Sequence, residues 1–113
     1  MSEASPVPEI TATELKARLD AGDVPVLVDV RDAFETSIAD LPEHGQVRIP
    51  TGDFPRRFGE LDSAADIVIY CRSGSRSAWA VSLLMQHGYE RVINLQGGIL
   101  GWRVEVDPSL TAY

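Results

Sequence analysis

Short apolar runs alternate with amphipathic segments along this chain. Val26-Leu27-Val28-Asp29-Val30, Ile67-Val68-Ile69-Tyr70 and Val92-Ile93-Asn94-Leu95 are β-branched and nearly continuous. Such runs predict strands covered on both faces rather than strands with one wet side. A shorter strand is expected at 47–49. Thr11-Ala12-Thr13-Glu14 reads as a capping box, with Leu15 and Leu19 at helical spacing behind it and Gly22 as the stop. A short helix is expected at 31–38. Pro42, Gly45, Pro50, Gly52 and Pro55 make 39–55 mostly loop, and a turn of helix is expected at 54–58. A longer helix is predicted over 77–87, capped by Ser77 and stopped by Gly88. Its apolar face of Ala78, Val81, Leu84 and Met85 should pack on the sheet, leaving Trp79 partly exposed near the loop before it. Gly97-Gly98 breaks the last strand, a short helix follows at 99–102, and the segment beyond Arg103 receives no element. Strand–helix alternation of this kind predicts an α/β fold in one domain spanning 1–113, with its core at about 8–103. The sheet should be open and mainly parallel, of about five strands, with helices on both faces.

Charge and composition narrow the function classes. The 113 residues carry 17 acidic and 10 basic side chains, a net charge of -7. Nucleic-acid binding calls for the opposite balance. No apolar run approaches the roughly 20 residues that cross a bilayer. The first eight residues lack the basic and apolar blocks of an export signal. Cys71 is the sole cysteine and His44 and His87 the sole histidines. No intrachain disulfide and no cysteine-based metal cluster can be built from them, so a structural metal site is not expected. A cytoplasmic monomer with no membrane partner is the default reading.

The cysteine is placed for chemistry. It follows a buried strand and precedes a helix, where open α/β sheets form their sites. Between them lie Arg72-Ser73-Gly74-Ser75-Arg76-Ser77. Small residues let such a segment curl so that its amides face inward and hold an anion next to a helix N-terminus. The same field favours a thiolate, the reactive form of cysteine. Cys71 is therefore the candidate nucleophile. Arg72 should face solvent and attract an anionic substrate. Arg76 either binds substrate oxygens or turns inward to pair with Asp29 or Glu35 and fix the loop. Backbone amides, rather than the hydroxyls of Ser73, Ser75 and Ser77, are expected to do the holding, and Gly74 should adopt a backbone angle that other residues resist. Neither histidine has an obvious spacing to Cys71, so activation by the loop is expected in place of a Cys–His pair.

Leu27-Val28-Asp29-Val30-Arg31 with Glu35, Ile49-Pro50, Ile69-Tyr70-Cys71-Arg72-Ser73-Gly74-Ser75-Arg76-Ser77, and Leu95-Gln96-Gly97-Gly98 with Gly101-Trp102 together resemble the rhodanese family. The likeness runs from about Pro8 to Trp102, in the family's order. It implies a single rhodanese-like domain acting as a sulfurtransferase. A sulfane sulfur would pass from a small anionic donor such as thiosulfate to Cys71 as a persulfide, then to a thiol or protein acceptor. Asp29, Arg31 and Glu35 would support the loop, and Trp102 would pack. In related phosphatases five residues separate the cysteine from the arginine; here four do, and the tighter ring favours one sulfur atom over phosphate or arsenate. A non-catalytic interaction or redox-sensing module is the competing reading. The chain departs from the family after Glu35: Asp40 stands where a histidine is usual, and Glu43-His44 look inserted.

Overall fold

The computed structural model describes residues 7–113. Most of the expected signal-free start therefore lies outside the described residues. The strands are β1 (Glu9–Ile10), β2 (Val26–Asp29), β3 (Val47–Arg48), β4 (Ile67–Tyr70) and β5 (Val92–Leu95). The helices are α1 (Ala12–Asp20), α2 (Ala33–Thr36), α3 (Phe54–Arg57), α4 (Ser75–Gln86) and α5 (Gly98–Glu105). All strand pairs are parallel, in the order β1-β5-β4-β2-β3. The predicted α/β class and parallel sheet are thus observed. No helix among the described residues is long and apolar enough to cross a membrane.

The uninterrupted apolar runs are explained by two cores. On β4, Ile67, Ile69 and then Cys71 face one cluster with Phe54, Ala80, Val81 and Leu84. Val68 and Tyr70 face the other, with Leu15, Leu19, Ile99 and Trp102. Residues alternate across a strand, so a strand with helices on both sides must be apolar throughout. The capping box at α1 is formed: the Glu14 amide donates to Thr11 Oγ1 at 3.1 Å and the Thr11 amide to Glu14 Oε1 at 2.9 Å.

Several local expectations need correction. The strand β1 carries only two residues, too few for a periodic signal, and is recruited by pairing with β5. The helix expected at 31–38 is a single turn that begins later, with Asp32 as its N-cap and the Asp32 amide donating to Glu35 Oε2. The active loop is shorter than expected, since α4 starts at Ser75 with Gly74, not Ser77, as its N-cap. The buried face is Ser77, Ala80, Val81 and Leu84 in place of Ala78, Val81, Leu84 and Met85, and Met85 is left 46% exposed. Trp79 is also partly exposed, its ring edge-on to Phe54. The last helix runs on to Glu105, past the expected end at 102.

Candidate active site

The central strand β4 delivers Cys71 to the C-terminal edge of the sheet, and the next three residues turn the chain into α4. The turn depends on Gly74, whose φ of 107° lies in the left-handed region that side chains resist. Its direction is set from outside the loop. The amides of Ile99 and Leu100, in the first turn of α5, donate to the carbonyls of Cys71 and Arg72, each at 3.0 Å. A trans peptide points its N–H opposite its C=O. Drawing those carbonyls towards α5 therefore turns the adjoining amides inward. Asn94 on β5 adds a hold, its Nδ2 donating to the Gly74 carbonyl at 3.2 Å.

The thiol is buried, yet it is not simply packed among aliphatic groups. Its Sγ accepts from the Gly74 amide at 3.1 Å, the Ser77 amide at 3.4 Å and the Ser77 hydroxyl at 3.3 Å. Burial pushes the thiol up, but the Ser77 hydroxyl and the amides of Ser77, Gly74 and Ser73 together outweigh it. The net direction is below the ordinary thiol value. Ser77 was expected to cap the helix through its hydroxyl; that hydroxyl instead faces the sulfur from the first turn of α4. Ser73 and Ser75 are exposed.

Arg76 turns inward. Its Nη1 and Nη2 donate to the two carboxylate oxygens of Glu35 at 2.9 and 3.0 Å. A two-pronged guanidinium–carboxylate pair fixes orientation as well as distance. Arg76 first, opposed by burial, holds the Glu35 carboxyl down from 4.5 to about 2. Asp29 is not the partner of Arg76. It faces Arg31, which is wholly buried and donates to both its oxygens at 2.9 and 3.0 Å. Arg48 reaches the same carboxylate at 2.6 Å. Asp40, in the atypical loop, collects Arg31, Arg48 and the Tyr70 hydroxyl at 3.0, 2.8 and 2.7 Å. Asp40 thus joins two arginines and a tyrosine hydroxyl through one carboxylate. Arg48, Asn94 and Tyr113 received no role from sequence reasoning, and Asp40 and Tyr70 were named without one. The alternation of charge in Asp29, Arg31, Asp40 and Arg48 was the available signal, but pairing partners 8 to 19 residues apart cannot be assigned without the sheet.

The Glu35–Arg76 pair carries a pH prediction. A carboxylate held below its unfolded value contributes stability that is fully present above about 4.5 and lost as pH falls towards about 2. Glu35→Gln should therefore cost about 2 kcal/mol near neutrality, discounted for a partially exposed arginine. Thermal melting should show the two proteins converging between those pH values. Equal stability near neutrality would mean the pair holds nothing.

Arg72 is exposed as expected, but it has a partner: its Nε donates to the main-chain oxygen of Tyr113, and its guanidinium lies 5.3 Å from that ring's centre. His44 and His87 are engaged away from the sulfur, with the Pro42 and Leu83 carbonyls. A separate open cleft of about 370 Å³ is lined by Asp29, Arg31, Ala33, Thr36, Arg48 and Pro50, and no residue of the cysteine loop lines it.

A parallel α/β sheet whose central strand ends in a cysteine, its sulfur cradled at a helix N-terminus, defines a class of anion-handling thiol domains. Residues 11–105 match the family model described as Rhodanese-like domain, and the chain belongs to that family. It is 44% identical over 97 residues to a sulfurtransferase of Allochromatium vinosum, covering 85% of this chain and 88% of that one. It is 31% identical over 103 residues to the putative sulfurtransferase YtwF of Bacillus subtilis, covering 91% and 97%. The crystal structure of a rhodanese-related protein from Thermoplasma volcanium is similar at a TM-score of 0.78 and 27% identity, covering 90% of this chain and 96% of that one.

Proposed function

We propose that this protein is a sulfurtransferase in which Cys71 carries the sulfur as a persulfide. The single observation that carries the reading is the convergence of two amides and one hydroxyl on the Cys71 sulfur. Family membership and relatives named sulfurtransferases support the same class of reaction.

The reaction has two displacements. The Cys71 thiolate attacks the outer sulfur of an anionic donor such as thiosulfate. An Sγ–S bond forms, the donor's S–S bond breaks, and its electron pair leaves with sulfite. The new terminal sulfur is anionic, and inward amides of the loop stabilise it as an oxyanion hole would. A thiolate acceptor, free or on a protein, then attacks that sulfur and releases the Cys71 thiolate. Kinetics should be ping-pong, with no metal or organic cofactor taking part. Arg72 would attract the donor, and Arg76, engaged with Glu35, would hold the loop. A reducing compartment such as the cytoplasm suits a thiolate of this kind.

Intact-mass measurement after incubation with thiosulfate tests the proposal. One sulfur atom should be added per chain, with an equivalent of sulfite released, and cyanide should remove it as thiocyanate. Protein alkylated beforehand should take up none. Absence of the adduct would refute the reading, and faster formation of a sulfenic acid with peroxide would favour a redox sensor instead.

A further inference from the structure

The segment after α5 folds back onto the active loop. Val106 and Leu110 pack against the second core, and Arg103 Nε donates to the Leu110 carbonyl at 2.7 Å. This brings Tyr113 to the cysteine loop, where it makes four contacts. Its hydroxyl donates to Glu35 Oε1 at 2.9 Å and accepts from Arg31 Nη1 at 2.9 Å. Its ring lies under the Arg72 guanidinium, and its main-chain oxygen accepts a hydrogen bond from Arg72 Nε. The ring is thereby anchored at one end to the pair that holds Arg76, and at the other to the residue that follows the nucleophile. Among the described residues, no partner engages the two Nη groups of Arg72. Its outer edge is a two-donor fork that matches planar or tetrahedral oxyanions.

We propose that Tyr113 is a positioning residue for the donor: it holds Arg72 beside the cysteine loop with that fork free, so that the site favours sulfur donors bearing an oxyanion over uncharged ones. An exposed arginine otherwise samples many rotamers, and fixing it beforehand removes that entropy cost from binding. The inference rests on the reading of Cys71 as a reactive, sulfur-accepting thiolate, and its test does not require sulfur transfer. The readout is the ratio of Cys71 alkylation rates with anionic iodoacetate and neutral iodoacetamide. Tyr113→Ala should lower that ratio at least about threefold, the size of an exposed cation–π contact. Tyr113→Phe, which keeps the ring, should show a smaller fall. In an Arg72→Ala background, Tyr113→Ala should produce no further fall, because the effect acts through that guanidinium. With thiosulfate, Tyr113→Ala in the wild-type background should raise KM by a larger factor than it lowers kcat. An unchanged ratio in Tyr113→Ala, or an equal fall without Arg72, would overturn the inference. A normal ratio pattern without any sulfur adduct would sink the sulfur-transfer reading and leave only the placement of Arg72 by Tyr113 standing.

Discussion

Cys71→Ser is expected to take no sulfur from thiosulfate, with turnover at least about a thousandfold below wild type, while folding normally. The loop's donors stay in place in such a variant. The Gly74 and Ser77 amides and the Ser77 hydroxyl would meet an oxygen acceptor in place of the sulfur. Stability should therefore change by no more than about 1 kcal/mol. What disappears is the group that can ionise. A serine hydroxyl does not ionise near neutrality, whereas the cradle lowers the thiol despite its burial. In the wild type, alkylation by iodoacetamide should accordingly stay fast well below the ordinary thiol value of about 8.5. A rate that rises only above that value would show that burial, not the loop's donors, decides the thiol's state. Residual sulfur uptake by Cys71→Ser would move the chemistry to another residue.

Gly98→Ala is expected to have the next largest effect, although Gly98 touches neither the thiol nor any substrate. A Cβ built there would lie 2.4 Å from the Cys71 carbonyl oxygen and 2.7 Å from that of Arg72. Both are backbone atoms, so neither can rotate aside. The residue also has φ of 56°, which costs a side chain roughly 1–2 kcal/mol by itself. The loop must move away from α5, and the carbonyls that orient its amides lose the Ile99 and Leu100 donors. Misplacing reacting groups by about 1 Å costs on the order of a hundredfold in rate, and that is the expected loss of turnover. Melting should fall by the equivalent of about 2–4 kcal/mol. Gly59→Ala is the control, since an added Cβ there meets nothing within 4 Å. Wild-type turnover in Gly98→Ala would show that the contact with α5 does not orient the loop.

The two variants divide what was legible from what was not. The nucleophile was legible because its signals are local: an apolar strand, a cysteine, then small and basic residues before a helix. The parallel sheet was legible because β-branched runs without polar alternation can only be covered on both faces. Exact helix ends were less so. Ser77 has the chemistry of a cap, but Gly74, with its left-handed backbone, begins the helix two residues earlier than a hydroxyl-based reading allows. That turn places the Ser77 hydroxyl on the sulfur, which no spacing rule would assign. The family motif marked Gly97-Gly98 as characteristic, yet its reason appears only when α5 is seen to grip the carbonyls of Cys71 and Arg72.

By itself, the order of residues determined the layered architecture, the position of the thiol at a strand end and the anion-seeking character of the turn after it. These follow from periodicity and from the backbone habits of individual residues, which act over a few positions. Tertiary structure alone decided which carboxylate receives Arg76, how Asp40 came to bridge Arg31 and Arg48, and that Tyr113 reaches Arg72 across 41 residues. Charged groups of one sign are interchangeable in sequence, and only the crossing of parallel strands and the return of the chain past α5 bring particular ones within hydrogen-bonding distance.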